Sequence, residues 1–441
     1  MHTETAENVN PHYLSHLLAV AHAHEVVVTE DIVAANGIPL LIKGTRIDGV
    51  ALDRLLLHQL RKPLEDCVQV VGGLQASAFA PMGRALLEDH PLLRALCTPG
   101  AARPAPESLA TLTLTLPMQS MLTVYTQGRH DRLAHVVGVA MLALSLARRL
   151  LPGEVDRHRV LAIAGLFHDV GELYIDPAYL QRGIPLDDTQ WQQFLQHPLV
   201  GYRMLRNMPG AGQAVANVVL LHHERLDGFG YPRSVSGSAF KLDGQILAAA
   251  EWLMAIVESD PAPLTRARMA DRLVPGEFSP PVLAAIAALA QAAPDTLVEL
   301  ASAPPLLEAA PRIVRLAEKM RHFREARGWI DAQLAEATPP VRQMLEAGLQ
   351  RMLRIQSSFS SIGLDAFNPE QLLADLATLH DAGVYMEVMS MVGELEWRLR
   401  ELARKQKAYA YLLPQQERAL VNDLAARLRW SPQAEEAAVT A

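Results

Sequence analysis

Five ionisable groups recur at nearly even intervals through the most apolar part of this chain, and that recurrence limits its fold more than any other feature. They are His135, His168-Asp169, His197, His222-His223 and Glu251, separated by 33, 28, 25 and 28 residues. Each interval is about the length of one helical hairpin. The stretches between them have helical spacing. Val136 to Leu150 is apolar and alanine-rich, and His158 to Asp169 ends near Gly171. Pro198 to Asn207 has proline at a first helical position, Gln213 to His223 follows, and Gly244 to Val257 stops at Pro261 and Pro263. Ser279-Pro280-Pro281 then starts Val282 to Ala293. Ionisable side chains are seldom buried without partners. A bundle that brings one group from each successive helix to a common centre gives them those partners.

Each group also has a plainer reading. Adjacent helical residues point about 100° apart, so His168 and Asp169 can grip a metal from two directions, and the two carboxylate oxygens of Asp169 can serve two ions. A solvated helix end explains the same doublet. His222-His223 form a candidate ligand pair for a borderline transition metal, or a histidine-capped helix before an ordinary turn. Gly228 and Gly230 permit backbone shapes closed to other residues, and Pro232 fixes its own φ, so this loop can hold Tyr231 beside a site. His197 opens a helix four residues before Gly201, where a small residue allows close packing; alone it reads as structural. Asp131 precedes His135 by four residues and shares its helical face, which a local hydrogen bond also explains.

The flanking regions read differently. Residues 1–105 form a small α+β module. Pro11 to Glu25 is predicted helical, with Leu14, Leu17, Leu18 and Val20 on or near one face. Glu25 to Thr29 and Ile38 to Ile42 are predicted strands flanking the Asn36-Gly37 turn. Leu52 to Leu60 is a further helix and Val68 to Val71 a short strand. Thr98 to Pro106 is rich in proline and alanine without period and marks a boundary. Residues 106–300 are the histidine-bearing helical domain. Residues 301–441 are a helical bundle punctuated at Pro304-Pro305, Pro339-Pro340, Asn368-Pro369 and Leu413-Pro414, with Gly383 as a further break and Leu395, Leu399 and Leu402 as an apolar stripe. The fold class is mainly α. A net charge of −8 argues against a nucleic-acid-binding surface. Two cysteines, Cys67 and Cys97, exclude a disulfide scaffold or a thiolate zinc site. The acidic start is the reverse of a signal peptide, and the longest apolar runs, such as Val136 to Ala147, fall short of the ~18–20 residues of a spanning helix. The expectation is a cytoplasmic protein without a membrane span.

Taken together, residues 125 to 295 resemble the HD-GYP family, a branch of the HD-domain metal-dependent phosphohydrolases. His168-Asp169 matches the name-giving doublet. Gly230-Tyr231-Pro232 matches the second motif, within the run His222-His223-Glu224-Arg225-Leu226-Asp227-Gly228-Phe229-Gly230-Tyr231-Pro232. The resemblance implies an all-helical domain holding two or three divalent transition-metal ions, iron or manganese, and hydrolysis of cyclic di-GMP to linear pGpG and onward to GMP in bacterial signalling. Carried over by position, His135, His168, Asp169 and Glu251 hold one metal. Asp169 bridges to a second, held by His197, His222 and His223. His168 and Asp169 are the catalytic doublet, and Gly228, Gly230, Tyr231 and Pro232 contact substrate. Asp131 sits where some members place a carboxylate for a third metal.

The departures from the family pattern fall mostly on substrate-binding groups. Glu172 stands where the family has the lysine of His-Asp-x-Gly-Lys; it is expected to face the site and repel phosphate, bind metal or carry a proton. Glu251 replaces an aspartate, Met254 a second aspartate, and Gln245 an arginine. The Arg-Pro-Tyr-Arg-type segment reads Asp260-Pro261-Ala262-Pro263 here. Two alternatives therefore stand beside the phosphodiesterase reading. One is a degenerate module that binds a signalling protein through the C-terminal helices, and the other a phosphohydrolase for a different nucleotide.

Overall fold

The computed structural model describes residues 7–98, 103–127, 129–181, 186–273, 276–294, 304–361, 369–378, 381–411 and 413–428. The acidic first residues, the centre of the Thr98–Pro106 segment and the boundary expected near 300 lie outside the described residues. The fold is mainly α, as expected. By packing, the chain divides into two compact units: residues 1–181 with 193–258, and residues 182–192 with 259–441. This grouping differs from the three-part division that the proline-rich segments suggest.

In the first unit, the Pro11–Ala21 helix begins where Asn10 accepts hydrogen bonds from the backbone N–H groups of His12 and Tyr13, at 2.9 and 3.1 Å. Such a cap contributes about 1 kcal/mol. The helix stops short of Glu25 because the β-branched run Val26-Val27-Val28 favours extended backbone. The strand Val26–Val28 pairs antiparallel with Val68–Val70, so it is not one arm of the Asn36-Gly37 hairpin. That hairpin joins Ile32–Val33 to Pro39–Leu41, with Gly37 at φ +90°. The hairpin arm is the short strand next to the turn. Val26 and Val28 are buried instead against the rest of the module.

The site rests on a hairpin of two helices, His130–Leu150 and Val155–Phe167. A Cβ on Gly165 would come within 2.6 Å of the Ala140 Cα, so the two backbones touch there. Val136, Val137, Val139, Leu142 and Leu146 are fully buried on the first helix, and Leu161, Ile163, Leu166 and Phe167 on the second. Each such side chain contributes about 1.5–3 kcal/mol of burial. At 21 residues, His130–Leu150 is long and apolar enough to cross a membrane, contrary to the expectation drawn from Val136 to Ala147. Here it is the core helix of its unit.

After Phe167 the chain tightens into the 3-10 turn Val170–Tyr174. A Cβ on Gly171 would fall on the His197 carbonyl, so this turn lies directly against the start of the His197–Leu205 helix. The Gly212–Val219 helix ends three residues earlier than His222, contrary to expectation. Its last turn winds to i−3 bonding, with Leu221 N–H to Val218 and His222 N–H to Val219. The Leu242–Ser259 helix completes the site, with Met254 seated in the space left by Gly138.

The second unit contains the helices Pro263–Arg268, Pro280–Gln291, Leu306–Glu336, Pro339–Ser361, Pro369–Thr378, Ala382–Tyr411 and Gln415–Arg427. Pro339 and Pro369 start helices, whereas Gly383 lies in the first turn of one and breaks nothing. Leu395, Leu399 and Leu402 are buried. Buried charges run alongside this stripe. Asp260 and Glu394 both pair with Arg266, Glu394 with Arg398, Arg398 and Arg351 with Glu277, and Arg351 with Glu401.

Candidate metal centre

Three imidazoles of the first unit are oriented in the same way. His168 Nδ1 lies 2.9 Å from the Gly165 carbonyl, His197 Nδ1 2.9 Å from that of Phe194, and His222 Nδ1 2.6 Å from that of Val219. A carbonyl only accepts, so Nδ1 carries the proton and Nε2 keeps its lone pair. His135 is fixed by a carboxylate: its Nδ1 is 2.7 Å from Glu258 Oε1. The four Nε2 atoms then face one another in pairs, His135 and His168 at 3.2 Å, His197 and His222 at 3.1 Å. Between neutral rings the opposed lone pairs repel, and either a proton, as on His168, or a shared cation removes the conflict. Glu251 Oε2 sits buried, 3.2 Å from both His135 Nε2 and His168 Nε2. This is the donor set a divalent metal takes.

Asp169 lies between the pairs. Its Oδ2 is 3.0 Å from His168 Nε2 and 3.6 Å from His135 Nε2. Its Oδ1 is 3.5 Å from His197 Nε2 and 3.4 Å from His222 Nε2. One carboxylate therefore offers one oxygen to each cluster. His135, His168 and Glu251 form one set able to hold a metal ion, and Asp169, His197, His222 and His223 another. All seven residues named from the sequence come together.

The charges in this pocket are strongly shifted. Burial opposes protonation of His168, but Asp169 and Glu251 outweigh it and raise the imidazole to about 10. Burial, then the His222 ring, lowers His197 to about 4, and the same two causes hold His223 well below the usual histidine range. Burial would raise both Asp169 and Glu251, yet the surrounding imidazoles hold both well below the usual carboxylate range.

The loop that carries the second motif is held against the second cluster. Tyr231 stacks on His223 with ring centres 4.5 Å apart, and its N–H donates to the His223 carbonyl at 3.1 Å. Gly228 takes φ +77°, and Asp227 Oδ1 accepts from the Phe229 N–H at 3.0 Å. The Tyr231–Pro232 bond is cis. The Glu224 carboxylate, fully buried, accepts from the N–H groups of Arg233 and Val235 at 2.7 and 3.0 Å and ties down the far side of the loop.

Two sequence-derived candidates sit elsewhere. Asp131 is exposed in the first turn of its helix, paired with Arg129 at 2.9 Å, and belongs to neither cluster. Glu172 is also outside the clusters. It faces Arg132 Nη2 at 3.6 Å, and the Tyr125 hydroxyl donates to it at 3.3 Å. Burial and the nearby Asp169 raise Glu172 to about 8, opposed by Arg132. Gln245 is buried and donates to the Phe240 carbonyl at 2.8 Å. Sequence reasoning missed Glu258 altogether. Its only signal is its place seven residues after Glu251, two helical turns along the same face.

Fold and donor set thus define a helical domain with two histidine and carboxylate clusters able to hold metal ions, and Asp169 lies between them. Residues 116–270 match the HD domain family model, and both motifs that carry the HD-GYP resemblance lie within that segment. Among curated relatives, a cyclic di-GMP phosphodiesterase response regulator of Xanthomonas campestris pv. campestris is 30% identical over 132 residues, 30% of this chain and 33% of its own. A cyclic di-GMP phosphodiesterase of Thermotoga maritima is 32% identical over 177 residues, 38% of this chain and 47% of its own. A 3'3'-cGAMP-specific phosphodiesterase of Vibrio cholerae is 31% identical over 137 residues, 31% of this chain and 28% of its own. The match therefore spans less than half the length of each of these relatives.

Proposed function

We propose that this protein is a metal-dependent phosphodiesterase that opens cyclic di-GMP to linear pGpG, using two transition-metal ions, iron or manganese. The observation that carries this reading is Asp169, whose two oxygens each face a separate imidazole cluster. Two ions bound there would lower the pKa of water and offset charge on the attacking and leaving oxygens. Hydrolysis adds water across one P–O3′ bond: the water oxygen joins phosphorus, the bond to O3′ breaks, and the leaving oxygen takes a proton. The chain's own part is to hold its Nε2 and carboxylate donors in register through Glu258, Gly165, Phe194 and Val219, and to wall one side with Tyr231 on its tied loop. A different cyclic dinucleotide is a second reading, favoured by the Vibrio relative named as 3'3'-cGAMP-specific. We further propose that residues 1–105 serve as an input module and that the C-terminal helices meet a signalling partner.

The test is anaerobic purification, metal analysis, and incubation with cyclic di-GMP and 3'3'-cGAMP beside an Asp169→Ala control. Two metals per chain with pGpG formed only by the unaltered protein is the expected result. Bound metal with no product above the control for either dinucleotide would sink the phosphodiesterase reading.

A further inference from the structure

The sequence places Glu172 where the family has the lysine of His-Asp-x-Gly-Lys, so the positive charge a lysine would offer a substrate phosphate is absent there, and the structure shows what surrounds it. Arg132 comes from the first turn of the His130–Leu150 helix, three residues before His135 and therefore on a neighbouring part of the same face. Its guanidinium lies 4.7 Å above the centre of the Tyr125 ring, and Nη1 donates to the Tyr125 carbonyl at 3.2 Å. Nη2 faces Glu172 Oε2 at 3.6 Å, and the Tyr125 hydroxyl donates to that same oxygen at 3.3 Å. Only 11% of the Arg132 side chain is exposed. Tyr125, Glu172 and Arg132 thus form a closed triangle one helical turn from a metal ligand. Arg132 brings a positive charge beside the position of the family's lysine.

We propose that Arg132 is the phosphate-binding cation of this site, delivered from a helix in place of the missing lysine, and that Glu172 and Tyr125 are positioning residues that hold its guanidinium plane. The inference rests on the phosphodiester substrate proposed above. A guanidinium has five N–H donors, and the contacts to Tyr125 and Glu172 leave some of them for a phosphate oxygen pair. Stacking on Tyr125 fixes the plane in advance, so little side-chain freedom is lost on binding. Glu172 competes with substrate for the same cation. Above pH 8, where Glu172 is ionised, removing its charge while keeping its shape should therefore strengthen phosphate binding, the reverse of what a metal-ligating Glu172 predicts.

The test uses the full-length, metal-loaded protein and three variants, Arg132→Gln, Arg132→Lys and Glu172→Gln. The readouts are metal content, KM and kcat with cyclic di-GMP, and calorimetric binding of inorganic phosphate. Arg132→Gln is expected to retain its metal, raise KM about tenfold and weaken phosphate binding to a similar degree, the loss of one charge-assisted hydrogen bond. Arg132→Lys should recover part of both. Measured above pH 8, Glu172→Gln should lower KM and tighten phosphate binding severalfold, and this arm stands even if Arg132→Gln fails to fold. Unchanged KM and phosphate affinity in Arg132→Gln, or loss of metal from Glu172→Gln, would overturn the assignment. Should the unaltered protein cleave no cyclic dinucleotide, the proposed function fails, while phosphate calorimetry still decides Arg132: weaker binding supports it and equal binding refutes it.

Discussion

Glu258 illustrates what a side chain can do for a metal without touching it. Its carboxylate holds His135 Nδ1 at 2.7 Å, which fixes both the tautomer and the ring plane and makes Nε2 a better donor. Glu258→Gln keeps an acceptor in nearly the same place but removes the charge that makes the imidazole more basic. Metal affinity is expected to fall about 10- to 100-fold while the helix content stays the same. Chelator competition combined with far-UV circular dichroism checks both halves; unchanged affinity would show that the contact only packs the helix end. The seven clustered residues were legible in the sequence because histidines and carboxylates among alanine, valine and leucine have few structural uses. Glu258 was not, because a glutamate near a helix end is the ordinary solvated case. Arg132 was hidden for a related reason: its role depends on Tyr125 and Glu172, 7 residues before it and 40 after, and no local spacing joins them.

At the scale of elements, the site is assembled where backbones approach too closely for side chains. The Val170–Tyr174 turn and the His197–Leu205 helix meet at Gly171, where a Cβ would fall on the His197 carbonyl. Gly171→Ala must push the two apart, at a cost of about 1–3 kcal/mol for overpacking. Because the displaced residue is His197 itself, the second cluster should lose metal before the first. Thermal unfolding and metal stoichiometry give the two readings, and a lower Tm with full metal content would place the strain elsewhere. Helix positions in this region could be read from the sequence because apolar runs and prolines set them. The ends were less legible. His222-His223 lie past the helix that was expected to carry them, since the tightened last turn reflects tertiary packing and not local preference. In the N-terminal part, the turn at Asn36-Gly37 was evident but one of its arms was not. Val26–Val28 is the more strand-like run, yet it pairs with Val68–Val70, some forty residues along the chain.

For the molecule as a whole, the two units solve the problem of buried charge differently. In the second unit, Arg266, Arg351 and Arg398 alternate with Glu277 and Glu394, each charge answered by protein, a pattern hidden in the sequence because its members are spread from 260 to 401. The first unit gathers imidazoles and carboxylates into clusters able to hold metal, and their titration ties its stability to pH. In the metal-free protein His168 is raised from 6.5 to about 10, so its stabilising contribution is complete below 6.5 and declines as pH climbs toward 10. Glu172, raised from 4.5 to about 8, likewise favours the fold less as pH rises through that range. His197, lowered to about 4, has already ceased to matter above 6.5. His135, which burial would lower but Glu251 and Glu258 raise, acts in the same direction, so between pH 6.5 and 8 the metal-free protein should lose stability. Metal binding has the opposite slope, because it requires deprotonated nitrogens and so tightens as protons become scarce. A metal that binds only the folded chain adds to stability as its affinity rises. The gap in Tm between metal-loaded and chelator-treated protein should therefore widen from pH 6.5 to 8. Differential scanning calorimetry across that range measures it, and a gap that stays constant or narrows would mean that protons and metal do not compete for His168.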